Sequence, residues 1–292
     1  MEKRTILLYG RTNAGKTAQI GELAEYVKKT TGKNTRLYTG DRGGLDTIRP
    51  YIDLGIIEPV ELDGKDPWIF LNNACAGKIK DAAGKWSMPD NSNIGLFAFE
   101  SLRSYAEALM ESMKVKAAQN VSIGGGSNIS FNVTEEGETL KISGSNMAHF
   151  GVAQGFMTEQ VWKSQKLNAP YILWTSSVSK DEDTTAAGKI LGPDVIGKAL
   201  TAEVPRWFSY TFRIDVVPAN GPTKERHVLY LGNHVDIGAG NAAGLGNIRM
   251  PLDGKWPDKN IIEPASIVAA LELLEGGRKS AVDAIKKRLN LK

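Results

Sequence analysis

The sequence predicts an α/β fold with a mostly parallel central sheet flanked by helices, and three observations lead there. The octapeptide Gly10-Arg11-Thr12-Asn13-Ala14-Gly15-Lys16-Thr17 fits the pattern G-x-x-x-x-G-K-[ST] and stands between the apolar run Ile6 to Tyr9 and the amphipathic stretch Lys16 to Lys29. Strand, glycine loop and helix therefore follow one another directly, the order in which such a loop cradles phosphate. The runs Asn93 to Phe99 and Pro170 to Thr175 are almost wholly apolar, as strands covered by helices on both faces are. Helical stretches separate these strands, as parallel crossovers require.

In chain order, Gly32-Lys33-Asn34 makes a turn, and Thr35 to Thr39 alternates as a second strand closed by Gly40-Asp41-Arg42-Gly43-Gly44. Ile56 to Leu62 is a third strand, and Pro59, which has no N–H to give a ladder, places it at an edge. Trp68 to Ala82 reads as a helix. The strand ending at Phe99 is followed by Glu100-Ser101 and the helix Leu102 to Lys116. Residues 117–149 break the pattern: Gly124-Gly125-Gly126 lies in a polar stretch, and Ile129 to Val133 and Thr139 to Ile142 alternate around Glu135-Glu136-Gly137-Glu138. That predicts an inserted β-hairpin. Helical periodicity resumes from Gln154 to Leu167, and Ser176 to Gly192 reads as a long polar loop. Trp207 to Val216 and His227 to Leu231 form an antiparallel pair joined through Pro218 to Pro222. The glycine-rich segment Gly238 to Gly246 precedes Asn247-Ile248-Arg249. Two helices close the chain, Pro264 to Glu275 and Ser280 to Leu291, the first stopped by Gly276-Gly277. With no internal repeat and no linker, residues 1–292 read as one domain carrying the 117–149 insertion and C-terminal helices in 264–292.

Composition narrows the functional classes. The 41% hydrophobic content suffices for a buried core, and 36 Lys plus Arg against 33 Asp plus Glu leave a net charge of +3. Any polyanionic partner must therefore meet a local patch. Cys75 is the single cysteine, which excludes intrachain disulfides and cysteine-rich zinc sites and fits a reducing compartment. No apolar stretch approaches the ~18 residues of a membrane span. With no signal peptide at Met1 to Arg4, a cytoplasmic protein without a membrane partner is expected. His149, His227 and His234 lack ligand spacing and read as structural residues, and no G-x-S-x-G elbow is present.

Phosphoryl chemistry is what remains. The residues Gly10, Arg11, Thr12, Asn13, Ala14, Gly15, Lys16 and Thr17 are expected to hold nucleotide: backbone N–H groups face the phosphates, Lys16 supplies a positive charge, and the Thr17 hydroxyl ligates Mg²⁺. A second acid must stand opposite Thr17, and Glu100 is the only carboxylate directly ending a strongly apolar run. Aspartate is usual at such a place, and the longer Glu100 side chain is expected to reach the metal waters or to act as base. Asp41, at the mouth of the second strand, is the further carboxylate for activating water, with Arg42 beside it to contact phosphate and a turn role for Gly40-Asp41 as the alternative. Thr175 and Ser176 end a strand where a parallel sheet places a γ-phosphate sensor, and equally where a cap or turn is found.

This ordered set resembles the RecA-like P-loop ATPases of the ASCE type, and most closely the short phage-encoded nucleotide-binding proteins of the Sak-type recombination ATPase group. It rests on Gly10 to Thr17, Tyr38 to Asp41, Phe97 to Leu102, Ile172 to Thr175 with the acidic loop Lys180 to Asp183, Gly192-Pro193 through Gly197-Lys198-Ala199, and Asn247-Ile248-Arg249. Together these cover most of the chain. The resemblance implies ATP and Mg²⁺ as cofactors, hydrolysis, and a homo-oligomeric ring or filament in which Arg249 reaches a neighbour's nucleotide. Asn247 stands where the group carries the lysine of a Lys-x-Arg pair. It also implies DNA as partner, with the 117–149 insertion where mobile DNA-binding loops occur. The hairpin's Glu135, Glu136 and Glu138 argue against DNA at its tip and leave a subunit contact open, while the most basic segment is Arg278 to Lys292.

Two other classes compete with an oligomeric ATPase acting on DNA in recombination, replication or packaging. A small-molecule P-loop kinase usually carries an arginine-rich lid, and Ser176 to Gly192 has no arginine. A nucleotide-regulated scaffold with little turnover is favoured by the departures at Glu100 and Asn247.

Overall fold

The computed structural model describes residues 3–41, 43–62, 66–118, 129–135, 138–144, 148–179, 183–185, 188–195, 198–217, 226–231, 234–236, 242–244, 247–248 and 261–289. From the amino terminus the chain lays down β1 (Arg4–Gly10), α1 (Lys16–Thr31), β2 (Asn34–Thr39), a 3-10 turn (Gly43–Ile48), α2 (Arg49–Asp53) and β3 (Ile57–Glu61). α3 (Pro67–Ala74) leads through a small hairpin, β4 (Ile79–Lys80) and β5 (Trp86–Ser87), to β6 (Ile94–Glu100) and α4 (Leu102–Ala118). β7 (Ile129–Glu135), β8 (Glu138–Gly144), α5 (Ala148–Ser164) and β9 (Tyr171–Ser177) follow. Next come β10 (Asp183–Thr185), β11 (Gly188–Leu191), α6 (Lys198–Glu203), a second 3-10 turn (Val204–Trp207), β12 (Tyr210–Val217) and β13 (Arg226–Leu231). β14 (His234–Asp236), β15 (Ala242–Gly244), β16 (Asn247–Ile248), β17 (Ile261–Ile262) and α7 (Ile267–Leu289) complete the described chain.

The central sheet runs β17-β13-β12-β1-β9-β6-β2-β3, and β16 also pairs with β12. From β12 through β3 every neighbour is parallel, while β13, β17 and β16 are antiparallel additions beyond β12. This is the α/β, mostly parallel architecture expected of a RecA-like P-loop fold, with the hairpin β7–β8 standing apart as a two-stranded sheet. β3 is an edge strand, the position that suits Pro59.

Both faces of the sheet are covered, which is why β1, β6 and β9 can be apolar almost throughout. On one face Ile6, Leu8, Leu96 and Leu173 pack with Ile20, Leu23 and Val27 of α1 and Leu271 and Leu274 of α7. On the other, Leu7, Phe97, Phe99 and Trp174 pack with Trp68 of α3, Tyr105 of α4 and Phe156 of α5. Within that second layer three rings stack across adjacent strands: Tyr38 on Phe99 at 5.3 Å between centroids, and Phe99 on Trp174 at 4.4 Å. They are register partners in β2, β6 and β9, so the stack fixes how the carboxyl ends of these strands align.

Three expectations are corrected. The helix predicted over Trp68 to Ala82 ends at Ala74: Gly77 takes a φ of 77°, and Asp81 then folds a turn by accepting the N–H groups of Ala83 and Lys85. The polar loop predicted over Ser176 to Gly192 contains the antiparallel pair β10–β11, which joins β15 and β14 in a four-stranded sheet. Its long-range partner β15 is invisible to local pattern. The two predicted C-terminal helices are one, because Gly276-Gly277 does not stop α7. Glycine costs a helix about 1 kcal/mol, and here contacts on both sides outweigh it: Gly277 is buried, Glu275 pairs with Arg4 at 2.8 Å, and Arg278 lies 5.5 Å over the Tyr210 ring.

A side-chain carbon at Gly276 would meet nothing within 4 Å, and Gly276 lies within α7. Gly276→Ala is therefore expected to raise stability by about 0.5–1 kcal/mol in denaturant unfolding. A loss of stability would show a break in the helix there.

Candidate nucleotide-binding site

Parallel strands in register bring their carboxyl ends to one edge, where ligands of such sheets bind. Gly10 pairs with Ser177 on one side and Ile214 on the other, and Thr39 pairs with Glu100. Gly10 has no freedom to be another residue, since a Cβ there would sit 2.1 Å from the Ile214 carbonyl oxygen. The loop then turns through Asn13 at φ 63° and Gly15 at φ 96° before α1 begins at Lys16. Left-handed backbone at these positions aims successive N–H groups into one concavity. The opening is a cavity of about 470 Å³ lined by Thr12, Asn13, Gly15, Lys16, Thr17, Asp41, Gly44, Glu100 and Ser177 among others. That is within the range of small-molecule sites.

Lys16 folds back so that Nζ donates to the carbonyl oxygens of Gly10 at 3.0 Å and Arg11 at 2.8 Å. Burial lowers its pKa, against the opposing pull of Glu100 and Asp41. The Thr17 hydroxyl donates to Glu100 Oε1 at 2.5 Å. The other carboxyl oxygen, Oε2, is buried and takes no hydrogen bond. Glu100 is 3% exposed, and burial, with the nearby charge of Asp41 adding, pushes its pKa up to about 7 although Thr17 and Lys16 pull it down.

The other predicted residues fall as follows. Asp41 lines the cavity, is exposed, and accepts the Gly44 N–H at 3.3 Å. Thr175 is buried within β9 with its hydroxyl unpartnered, and the cavity-lining hydroxyl is that of Ser177, two residues further along the same face. Ser176 instead donates to the Asp194 carbonyl at 2.7 Å. Arg11 lies 3.7 Å from Asp215, which forms a short buried ion pair with Arg213. Arg249 and Arg42 lie outside the described residues, as do Gly124-Gly125-Gly126 and Lys180 to Glu182. Sequence reading missed Ser177, which i, i+2 alternation from Thr175 points to, and His227, read as structural, whose Nδ1 lies 3.0 Å from the Ala14 carbonyl oxygen.

No protein-family model matches the chain, and no curated protein matches it. Among solved structures it is similar to the KaiC-like protein PH0186 from the hyperthermophilic archaeon Pyrococcus horikoshii OT3. The identity is 12%, with a TM-score of 0.44 over 79% of this chain and 78% of that one.

The donor set suits a magnesium ion. Thr17 and Glu100 offer hard oxygens side by side, with Oε2 left unsatisfied. Among the described residues no group of three or more His, Cys, Asp or Glu is placed to hold a metal. A cation here therefore draws the rest of its shell from phosphate oxygens and water, as Mg²⁺ does. Among the same residues no helix is long and apolar enough to cross a membrane.

Glu100 makes the nucleotide-free protein pH-sensitive. The folded carboxyl keeps its proton up to about pH 7, whereas an unfolded one loses it near 4.5. Its contribution to stability is thus full below pH 4.5 and is lost as pH rises through 7, by ~3 kcal/mol. Glu100→Gln cannot titrate. In denaturant unfolding without nucleotide, its stability relative to the natural protein is expected to grow by about that amount between pH 5 and pH 8. A constant difference would contradict the buried, protonated carboxyl.

Proposed function

We propose that the protein is an oligomeric, Mg²⁺-dependent ATPase that acts on DNA, of the kind phages use in recombination. The observation carrying the proposal is the Thr17–Glu100 hydrogen bond, with the unsatisfied Oε2 beside the glycine loop. This is the arrangement a hydrolase needs and a simple nucleotide-binding turn does not.

In this reading the loop amides from Asn13 to Thr17 hold the β- and γ-phosphates. Lys16 exchanges its bonds to the Gly10 and Arg11 carbonyls for phosphate oxygens. Mg²⁺, when bound, neutralises charge developing on those oxygens. Glu100 and Asp41 both line the cavity the γ-phosphate would enter. Glu100 is the base and Asp41 orients the water. Thr175 and Ser177 on β9 lie on the strand between the loop strand β1 and the acid strand β6, where a change in phosphate is felt by both neighbours.

Arg249 completes a neighbour's site rather than its own. Association of copies and the contribution of the hairpin β7–β8 to it, or to DNA, belong to the same proposal.

ATP turnover should depend on protein concentration and rise with single- or double-stranded DNA. Lys16→Ala is expected to lose about 100-fold or more. Arg249→Ala is expected to lose about 1,000-fold alone, yet to recover part of the activity when mixed with Lys16→Ala, because each variant supplies what the other lacks. Full activity of Arg249→Ala by itself would remove the shared site. Absence of both a turnover change and a gel shift at low salt with any DNA would remove DNA as the partner.

A further inference from the structure

The phosphate loop has a second anchor besides Lys16. His227 lies on β13, one strand beyond β12, and its Nδ1 is 3.0 Å from the carbonyl oxygen of Ala14. A carbonyl only accepts, so Nδ1 carries the hydrogen, which holds for the imidazolium and for one of the two neutral tautomers. The carbonyl of Ala14 and the N–H of Gly15 belong to one peptide unit, and in a trans peptide they point in opposite directions. A carbonyl drawn outward to His227 therefore turns the Gly15 N–H inward, and Gly15 lines the cavity.

The imidazole is well placed to do this because its own backbone is fixed. His227 pairs with Val216 of β12, and its carbonyl accepts the N–H of Ala265 at 2.9 Å. The Ala265 carbonyl in turn accepts Gln19 Nε2 at 3.1 Å, and Gln19 Oε1 accepts the N–H of Ile267 at 2.6 Å. Gln19 is on α1, the helix that the loop opens into. The bonds thus form a closed circuit from the loop through β13 and the start of α7 back to the first turn of α1.

We propose that His227 is a positioning residue of the phosphate loop, holding the Ala14–Gly15 peptide with its N–H toward the bound phosphate. The inference rests on the reading of Gly10 to Thr17 as a nucleotide site. Its atoms specify which replacement works: an asparagine amide nitrogen falls near Nδ1 of the imidazole, whereas a glutamine amide nitrogen falls near Nε2.

The test titrates a fluorescent ATP analogue with Mg²⁺ against the natural protein, His227→Ala, His227→Gln, His227→Asn and Lys16→Ala, with melting curves for each. His227→Ala and His227→Gln should bind about tenfold more weakly, and His227→Asn within about threefold of the natural protein, at unchanged melting temperature. Equal binding by His227→Ala, or His227→Asn no better than His227→Gln, overturns the proposal. ¹⁵N NMR of the histidine ring in the nucleotide-free protein decides independently of any variant: hydrogen on Nδ1 supports the bond, and a bare Nδ1 excludes it. If the natural protein binds as weakly as Lys16→Ala, the nucleotide site itself is wrong, whatever the imidazole does.

Discussion

The stack of Tyr38, Phe99 and Trp174 sets the height of everything at the carboxyl edge of the sheet. Each ring precedes a polar residue facing the other way: Thr39 after Tyr38, Glu100 after Phe99, Thr175 after Trp174. Alternation along a strand does the rest, since a ring locked into one layer forces its successor into the other, where α1 lies. Phe99, stacked between Tyr38 and Trp174, thus leaves Glu100 on the layer where it meets Thr17. The arrangement also explains how a carboxyl group comes to be buried: the strand carrying it is covered on both faces, and its hydrogen-bond partner is the Thr17 hydroxyl at the start of α1. The desolvation that raises its pKa is the direct cost of that placement.

A second set of contacts ties the other half of the sheet to the same loop. Ile214 presses its carbonyl against Gly10, Asp215 faces Arg11, and His227 meets Ala14. β12 and β13 thus touch the loop at its first, second and fifth residues. On the opposite flank, Arg103 at the start of α4 reaches Asp194 at 3.0 Å, while Ser176 and Ser177 bind the backbone of Asp194. The β10–β11 segment is thereby fastened to both the acid strand's following helix and the end of β9.

What the sequence discloses, and what it hides, divides by distance along the chain. The loop from Gly10 to Thr17 is legible because its spacing is local. Glu100 is legible because an apolar strand covered on both faces announces its own end, and Pro59 because a missing N–H belongs only at an edge. The helix over α3 is overextended because Cys75 and Ala76 carry no breaking signal and Gly77 alone does the work. Gly276-Gly277 misleads because the partners that carry the helix through, Arg4 and Tyr210, lie far away in sequence. His227 stands 213 positions from Ala14, and nothing near it in the chain marks its role.

The outer strand β3 has a bearing on how copies of this chain can meet. Its sequence, Ile57-Glu58-Pro59-Val60-Glu61, puts a residue without an amide hydrogen at the middle of the open margin and an exposed carboxylate on each side. A foreign strand docking there would find a gap in the row of donors. Lateral extension of the sheet is discouraged at this margin, so a neighbouring molecule approaching it is held by side chains rather than by a shared ladder.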